Sequence, residues 1–191
     1  MKTQVDHPWF VLEDLNKPSH HRLFTLLGVD WLATSYAWLS LPLYVALGLL
    51  AAFLANGGSA VEARLLTGLG YGLLIDLTNL PHSLGHILSG KLVGAPMDAN
   101  LVTATFHVNL YQGDQSGYSK LVHIGRSLGG PLGNLLVGLI SLGVGKLVAG
   151  DGLSLFGMMN VVVAIFLLAP TPSLDGWVIW GELLGFRPFH R

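Results

Sequence analysis

The sequence predicts an all-α integral membrane protein of about four transmembrane helices, with a short strand-like hairpin at the cytoplasmic membrane surface. Three observations predict it. Of 191 residues, 51% are hydrophobic and only 11% charged, less than half the roughly 25% usual for a soluble domain. The charges gather between long uncharged stretches of the ~20-residue length that spans a bilayer core. Glycine accounts for 25 residues, and small side chains let helices approach closely in lipid. The same figures exclude other classes. A net charge of −1 without a basic block argues against a nucleic-acid partner, and the apolar content is too high for disorder. With no cysteine, a bound metal must sit on His, Asp or Glu.

Residues 1–30 carry Lys2, Lys17, Arg22 and three histidines among acidic residues. They are too long and too mixed for the n-region of a signal peptide, and read as a cytoplasmic N-terminal tail or surface helix ahead of a membrane domain over 31–191. Trp31 to Ala55 is the first expected span, bent by Pro42, and Asn56-Gly57-Gly58-Ser59 is a turn. Leu65 to about Ser89 is the second, with Asp76, Asn79, Pro81, His82 and His86 inside its apolar frame. From Lys91 to Lys120 the pattern changes, and Leu101 to Tyr111 is β-branched and partly alternating, as a strand would be. Such backbone must sit at the interface or against protein, because it cannot face lipid.

The third expected span, Leu128 to Val148, is dense in small residues, with Gly129 and Gly133 in G-x-x-x-G spacing. Leu153 to Ala169 is the fourth. Pro170 to Gly176 breaks the helix, and Leu174 to Phe186 restarts a short one. Four spans from a cytoplasmic amino terminus place Lys2, Lys17, Arg22, Lys91, Lys120, Arg126, Arg187 and Arg191 on the cytoplasmic side, with Arg64 and Lys146 outside. That asymmetry obeys the positive-inside rule for a bacterial-type cytoplasmic membrane. Trp9, Phe10, Trp31, Trp177, Trp180 and Phe186 read as interfacial aromatic belts in contact with membrane lipid.

His82-Ser83-Leu84-Gly85-His86 puts two imidazoles four residues apart, on one helix face. That spacing suits a shared zinc ion, and it equally suits polar groups bonded between helices. Asp175 lies where the break after Pro170 lets a carboxylate turn inward, at the same expected membrane level as the histidines. An ionisable group at that depth marks function, and two histidines with a carboxylate form a common catalytic zinc set.

These residues resemble the site-2 protease family of intramembrane zinc metalloproteases over about residues 64–186. His82-Ser-Leu-Gly-His86 is similar to its H-E-x-x-H, Gly130-Pro131-Leu-Gly-Asn134 to its G-P-x-x-N, and Pro170-Thr-Pro172-Ser-Leu174-Asp175-Gly176 to its P-x-P-x-L-D-G, in the family's order. The resemblance implies that His82, His86 and Asp175 hold zinc. It also implies that Asn134 helps hold substrate or orient the site, and that a transmembrane segment of another membrane protein is the substrate or partner. One departure decides the reading. The family's general-base glutamate corresponds to Ser83, and losing a positioned base costs about 10²- to 10⁴-fold in rate. Asp76 is two helical turns away, about 10 Å along the axis.

Three functions are compatible with this pattern. The favoured one is a catalytically impaired relative that acts as a helix-binding or assembly subunit of a larger membrane complex and still binds zinc. The second is an active intramembrane zinc metalloprotease with a substitute base. The third is a pigment- or haem-binding subunit, because histidines also serve as axial ligands, with His20, His21, His107 and His123 as further candidates.

Overall fold

The computed structural model describes residues 20–55, 57–111 and 114–185. Trp9, Phe10 and Phe186, expected in aromatic belts, and the first 19 residues of the expected tail lie outside them. The chain is mostly helical, with one small sheet. Strand β1 (His21–Leu26) and strand β2 (Val29–Ala33) are followed by helix α1 (Ser40–Ala55), α2 (Val61–Leu77) and α3 (Asn79–Leu92). Strands β3 (Ala99–Val102) and β4 (His107–Leu110) precede α4 (Lys120–Leu147), α5 (Asp151–Leu167) and α6 (Asp175–Leu184).

The expected hairpin is present as β3 and β4, but it is half of a four-stranded sheet in the order β1-β2-β3-β4. Pairing is antiparallel at both ends and parallel between β2 and β3, where Asp30 lies opposite Ala99 and Ala33 opposite Val102. All-α is therefore corrected to a helical fold with a mixed sheet. The first expected span is corrected too. Val29, Trp31 and Ala33 alternate inward along β2, and the helix begins only after a 3-10 turn at Ala37–Leu39. β2 also runs across the boundary expected at residue 30. Trp31 is no belt residue: it is buried, stacks on Phe24 and packs with Val29, Ile87 and Met97. Pro42 sits in the first turn of α1, where its missing N–H breaks no bond, and does not bend a span.

The second expected span is two helices. Pro81 cannot donate to the carbonyl four residues earlier, so the ladder of α2 cannot continue past Thr78. Thr78 closes α2 by bonding back to the Ile75 carbonyl, and Asn79 bonds to the Asp76 carbonyl at 3.0 Å. Two of the described helical stretches, 37–55 and 120–147, are long and apolar enough to cross a membrane. α2 and α5 have 17 residues each, α3 has 14 and α6 has 10. Leu47, Leu50, Leu54, Leu136, Leu139 and Ile165 are exposed, whereas Gly129, Gly130, Asn134, Gly138 and Ser141 are buried on α4. Apolar groups outside and small or polar groups between helices are the arrangement a lipid solvent favours.

Helices α3 and α4 pack through glycine. A Cβ built on Gly85 would collide with the carbonyl oxygen of Gly129, a backbone atom that cannot rotate away. Gly85→Ala is therefore expected to force the two helices apart and destabilise the fold by about 1–3 kcal/mol, the usual cost of overpacking. Gly70→Ala on α2, where a Cβ meets open space, serves as its control. Thermal unfolding of both variants in detergent checks the difference. A tie between α1 and the sheet completes the frame, as Tyr44 Oη donates to the Thr105 carbonyl at 2.8 Å.

Candidate metal centre

Helix α3 lies between the sheet and α4, so each of its faces has a distinct task. Ile87 packs on Val29, Trp31 and Met97 of the sheet side. The face carrying His82 and His86 turns to α4 at Gly130, where a Cβ would strike both imidazoles. Only a residue without a side chain fits there. α6 then delivers Asp175 at its first turn, reached through the extended backbone of Leu174.

The three groups expected from sequence are brought together. His82 Nε2 and His86 Nε2 are 3.0 Å apart, and Asp175 lies 3.3 Å from His86 Nε2 and 3.5 Å from His82 Nε2. Tetrahedral zinc with N and O ligands at about 2.0–2.1 Å has ligand atoms about 3.3–3.4 Å apart, and the observed triangle brackets that spacing. The donor chemistry agrees. His86 Nδ1 donates to the Arg126 carbonyl at 2.8 Å, which leaves its Nε2 with a lone pair aimed into the triangle. Two imidazole nitrogens and a carboxylate facing one another are stable only around a proton or a cation. The residues fit zinc. When bound, zinc would polarise a carbonyl and lower the pKa of a water.

Asn134 is one helical turn beyond Gly130 on α4, fully buried, and neither polar atom of its amide has a hydrogen-bond partner among the described residues. It is not one of the three residues that form the triangle. Asp76 ends α2 and is also apart from it, and Asn79 links that corner to Tyr44 of α1. Of the histidines considered as pigment ligands, His21 is exposed on β1. His107 and His123 belong to separate networks, bonded to Ser83 and Arg126 respectively.

Arg126, which the charge pattern assigns to the cytoplasmic side, is buried. Its guanidinium lies 4.1 Å from the Tyr111 ring centroid and 5.2 Å from that of Tyr118. It donates to Gln115 Oε1 at 2.8 Å and meets His123 Nδ1 at 2.9 Å. It thus anchors the segment between β4 and α4 beside the centre. Burial pushes the Tyr111 phenol up to about 12, helped by the Asp175 and Asp98 charges and opposed by Arg126, so Tyr111 stays protonated.

His107, named from sequence as a further pigment- or haem-ligand candidate, faces α3. On β4, His107 and Asn109 share one face, and Asn100 of β3 pairs with Asn109. This polar face meets Ser83: Ser83 Oγ lies 3.1 Å from His107 Nδ1 and 3.3 Å from Asn100 Nδ2. The signal was the alternation itself, since two polar residues on one strand face need a polar partner. Burial lowers His107 to about 4, well below its ordinary 6.5. Between those values the unfolded chain binds a proton that the folded chain refuses, so stability is lost as pH falls from 6.5 toward 4. Discounted for its partial exposure, the loss is expected to reach about 2 kcal/mol at pH ~4.5. Denaturant midpoints of the wild type and His107→Gln at pH 7 and pH 4.5 check it, and the variant should shift less.

No family model and no curated protein matches the chain. Among solved structures it is similar to the site-2 protease from Methanocaldococcus jannaschii, with a TM-score of 0.59 and 18% identity, over 90% of this chain and 74% of that one. The likeness is one of fold: the chain has a site-2 protease-like fold.

Proposed function

We propose that this membrane protein holds zinc on His82, His86 and Asp175 and takes a transmembrane segment of another membrane protein into the same centre. With Ser83 in place of a carboxylate base, hydrolysis is slow, and holding the segment is the main activity, as suits a helix-binding or assembly subunit. The observation that carries this reading is the donor triangle of 3.0, 3.3 and 3.5 Å, enclosed where a metal-free cluster would be costly. In this reading α1, α2, α4 and α5 span the bilayer of a bacterial-type cytoplasmic membrane, with the amino terminus cytoplasmic and lipid around the exposed apolar faces. Seventeen-residue helices are at the short end of the range that spans a bilayer, about 17–25 residues.

This chain's own residues divide the work. His86 is oriented by the Arg126 carbonyl, and Gly130 leaves room for both imidazoles. Asn134 offers an unpartnered amide one turn away for the backbone of a bound segment. The metal analysis is direct: the full chain purified in detergent is expected to hold about one zinc, and His82→Ala to lose it. A stable membrane partner should accompany the wild type on mild solubilisation. Zinc content equal in the two preparations would overturn the assignment of the centre.

A further inference from the structure

The turn between β1 and β2 holds a residue that does not suit it. Leu26 pairs with Val29, so Leu27 and Gly28 form a two-residue hairpin loop, with φ of 53° and 76°. Such a loop favours Asn-Gly, because a bulky side chain is strained at positive φ. Here the first position is a leucine, and it is 47% exposed. Phe24 pairs with Trp31 and stacks on it, so it lies on the inner face of the sheet, at the edge strand, yet is 48% exposed.

Helix α3 continues this surface. Leu84, Leu88 and Lys91 share one helix face by their spacing. Leu84 packs on the cluster of Val29, Trp31 and Ile87, and Lys91 Nζ donates to the Leu27 carbonyl. Leu88, between them, is 52% exposed. Apolar side chains thus surround an ammonium at the end of the bundle where α3 stops and α4 begins, which Val93 and Gly125 bring together. An ammonium has three N–H groups, of which the Leu27 carbonyl takes one. Among the described residues no carboxylate lies within ion-pair distance of Lys91.

Two demands fix what covers this surface. Leu27, Phe24 and Leu88 are best covered by an apolar neighbour. The outer edge of β1 has no partner strand in the sheet, and an open strand edge cannot lie in hydrocarbon. The headgroup layer of a bilayer meets both demands, and a lysine there attracts anionic lipid. We propose that Phe24, Leu27 and Leu88 form an interfacial lipid site in which Lys91 takes the phosphate of an anionic phospholipid. The site rests on the membrane setting proposed above and is independent of the metal centre. Its lipid would hold the β1–β2 hairpin against α3.

The chain has no cysteine, so single nitroxide labels test the site directly. The full chain is reconstituted into phosphatidylcholine vesicles containing phosphatidylglycerol. Labels on Leu27→Cys and Leu88→Cys should collide with oxygen and be shielded from a water-soluble nickel chelate. Thr25→Cys, exposed on the other face of the same strand, should show the reverse, and Leu139→Cys on the exposed side of α4 is the lipid reference. Nickel access at 27 and 88 equal to that at 25 overturns the site. Shielding from both reagents overturns it too, with a second copy as occupant if the spectrum narrows on dilution with unlabelled chain, and another segment of this chain if it does not. Nickel access at 139 overturns the site together with the membrane setting. Lys91→Gln is expected to lower the affinity for the first phosphatidylglycerol about 5-fold, the weight of one basic residue near an anionic surface, as read by native mass spectrometry. Phosphatidylcholine binding should not change, and Lys91→Arg should retain the affinity for phosphatidylglycerol. An equal loss for both lipids, or none, overturns the assignment of Lys91 to the headgroup.

Discussion

Replacing Ser83 by glutamate is expected to raise hydrolysis of a membrane-embedded peptide by about 10²- to 10⁴-fold, the contribution of a well-placed general base. The position already has the partners a carboxylate needs. Asn100 Nδ2 donates toward the Ser83 oxygen, and His107 Nδ1 lies 3.1 Å from it. The obstacle is volume, since Ser83 is fully enclosed and a longer side chain must displace its neighbours. Zinc content therefore accompanies the rate measurement. A variant that keeps zinc and cleaves no faster than the wild type would contradict the view that the missing carboxylate limits this centre.

Gly130→Ala should act in the opposite direction. The added methyl would land on Cε1 and Nδ1 of His82 and on Nε2 of His86, so the imidazoles cannot keep the triangle with Asp175. We expect zinc affinity to fall by about 100-fold or more, at least the loss typical of disturbed support around a metal. Gly143→Ala on the same helix meets open space and is the control. There the alanine should keep zinc affinity and add up to about 1 kcal/mol of helix stability. Competition against a zinc indicator in detergent reads both, and full affinity in Gly130→Ala would remove α4 from the centre.

These two substitutions differ in how far the sequence foretells them. Position 83 is legible, because His82 and His86 fix a helix face by their spacing, and the residue between them is conspicuous when it is not acidic. Gly130 is legible only as part of a motif: nothing in its own neighbourhood says that a Cβ would meet imidazoles on another helix. The strands show the same limit more sharply. Val29–Ala33 is five residues of apolar chain ahead of a longer apolar run, and over so short a stretch periodicity cannot separate a strand from the start of a helix. What makes it a strand is its pairing with Ala99–Val102, beyond three intervening helices. The burial of Arg126 is hidden from sequence for a related reason, since it depends on Tyr111, Tyr118 and Gln115 arriving from another segment.

By itself the sequence indicated apolar surroundings and a candidate ligand set. Scarce charge and abundant glycine require apolar surroundings, and with no cysteine the candidate ligands reduce to histidines at helical spacing and a carboxylate at a helix break. The tertiary structure alone decided what surrounds Ser83. The long uncharged stretches that point to a membrane protein are local runs of sequence and need no partner to be read. The character of position 83 depends on Asn100 and His107, 17 and 24 residues away, and only the folding of the sheet onto α3 brings them within hydrogen-bond distance.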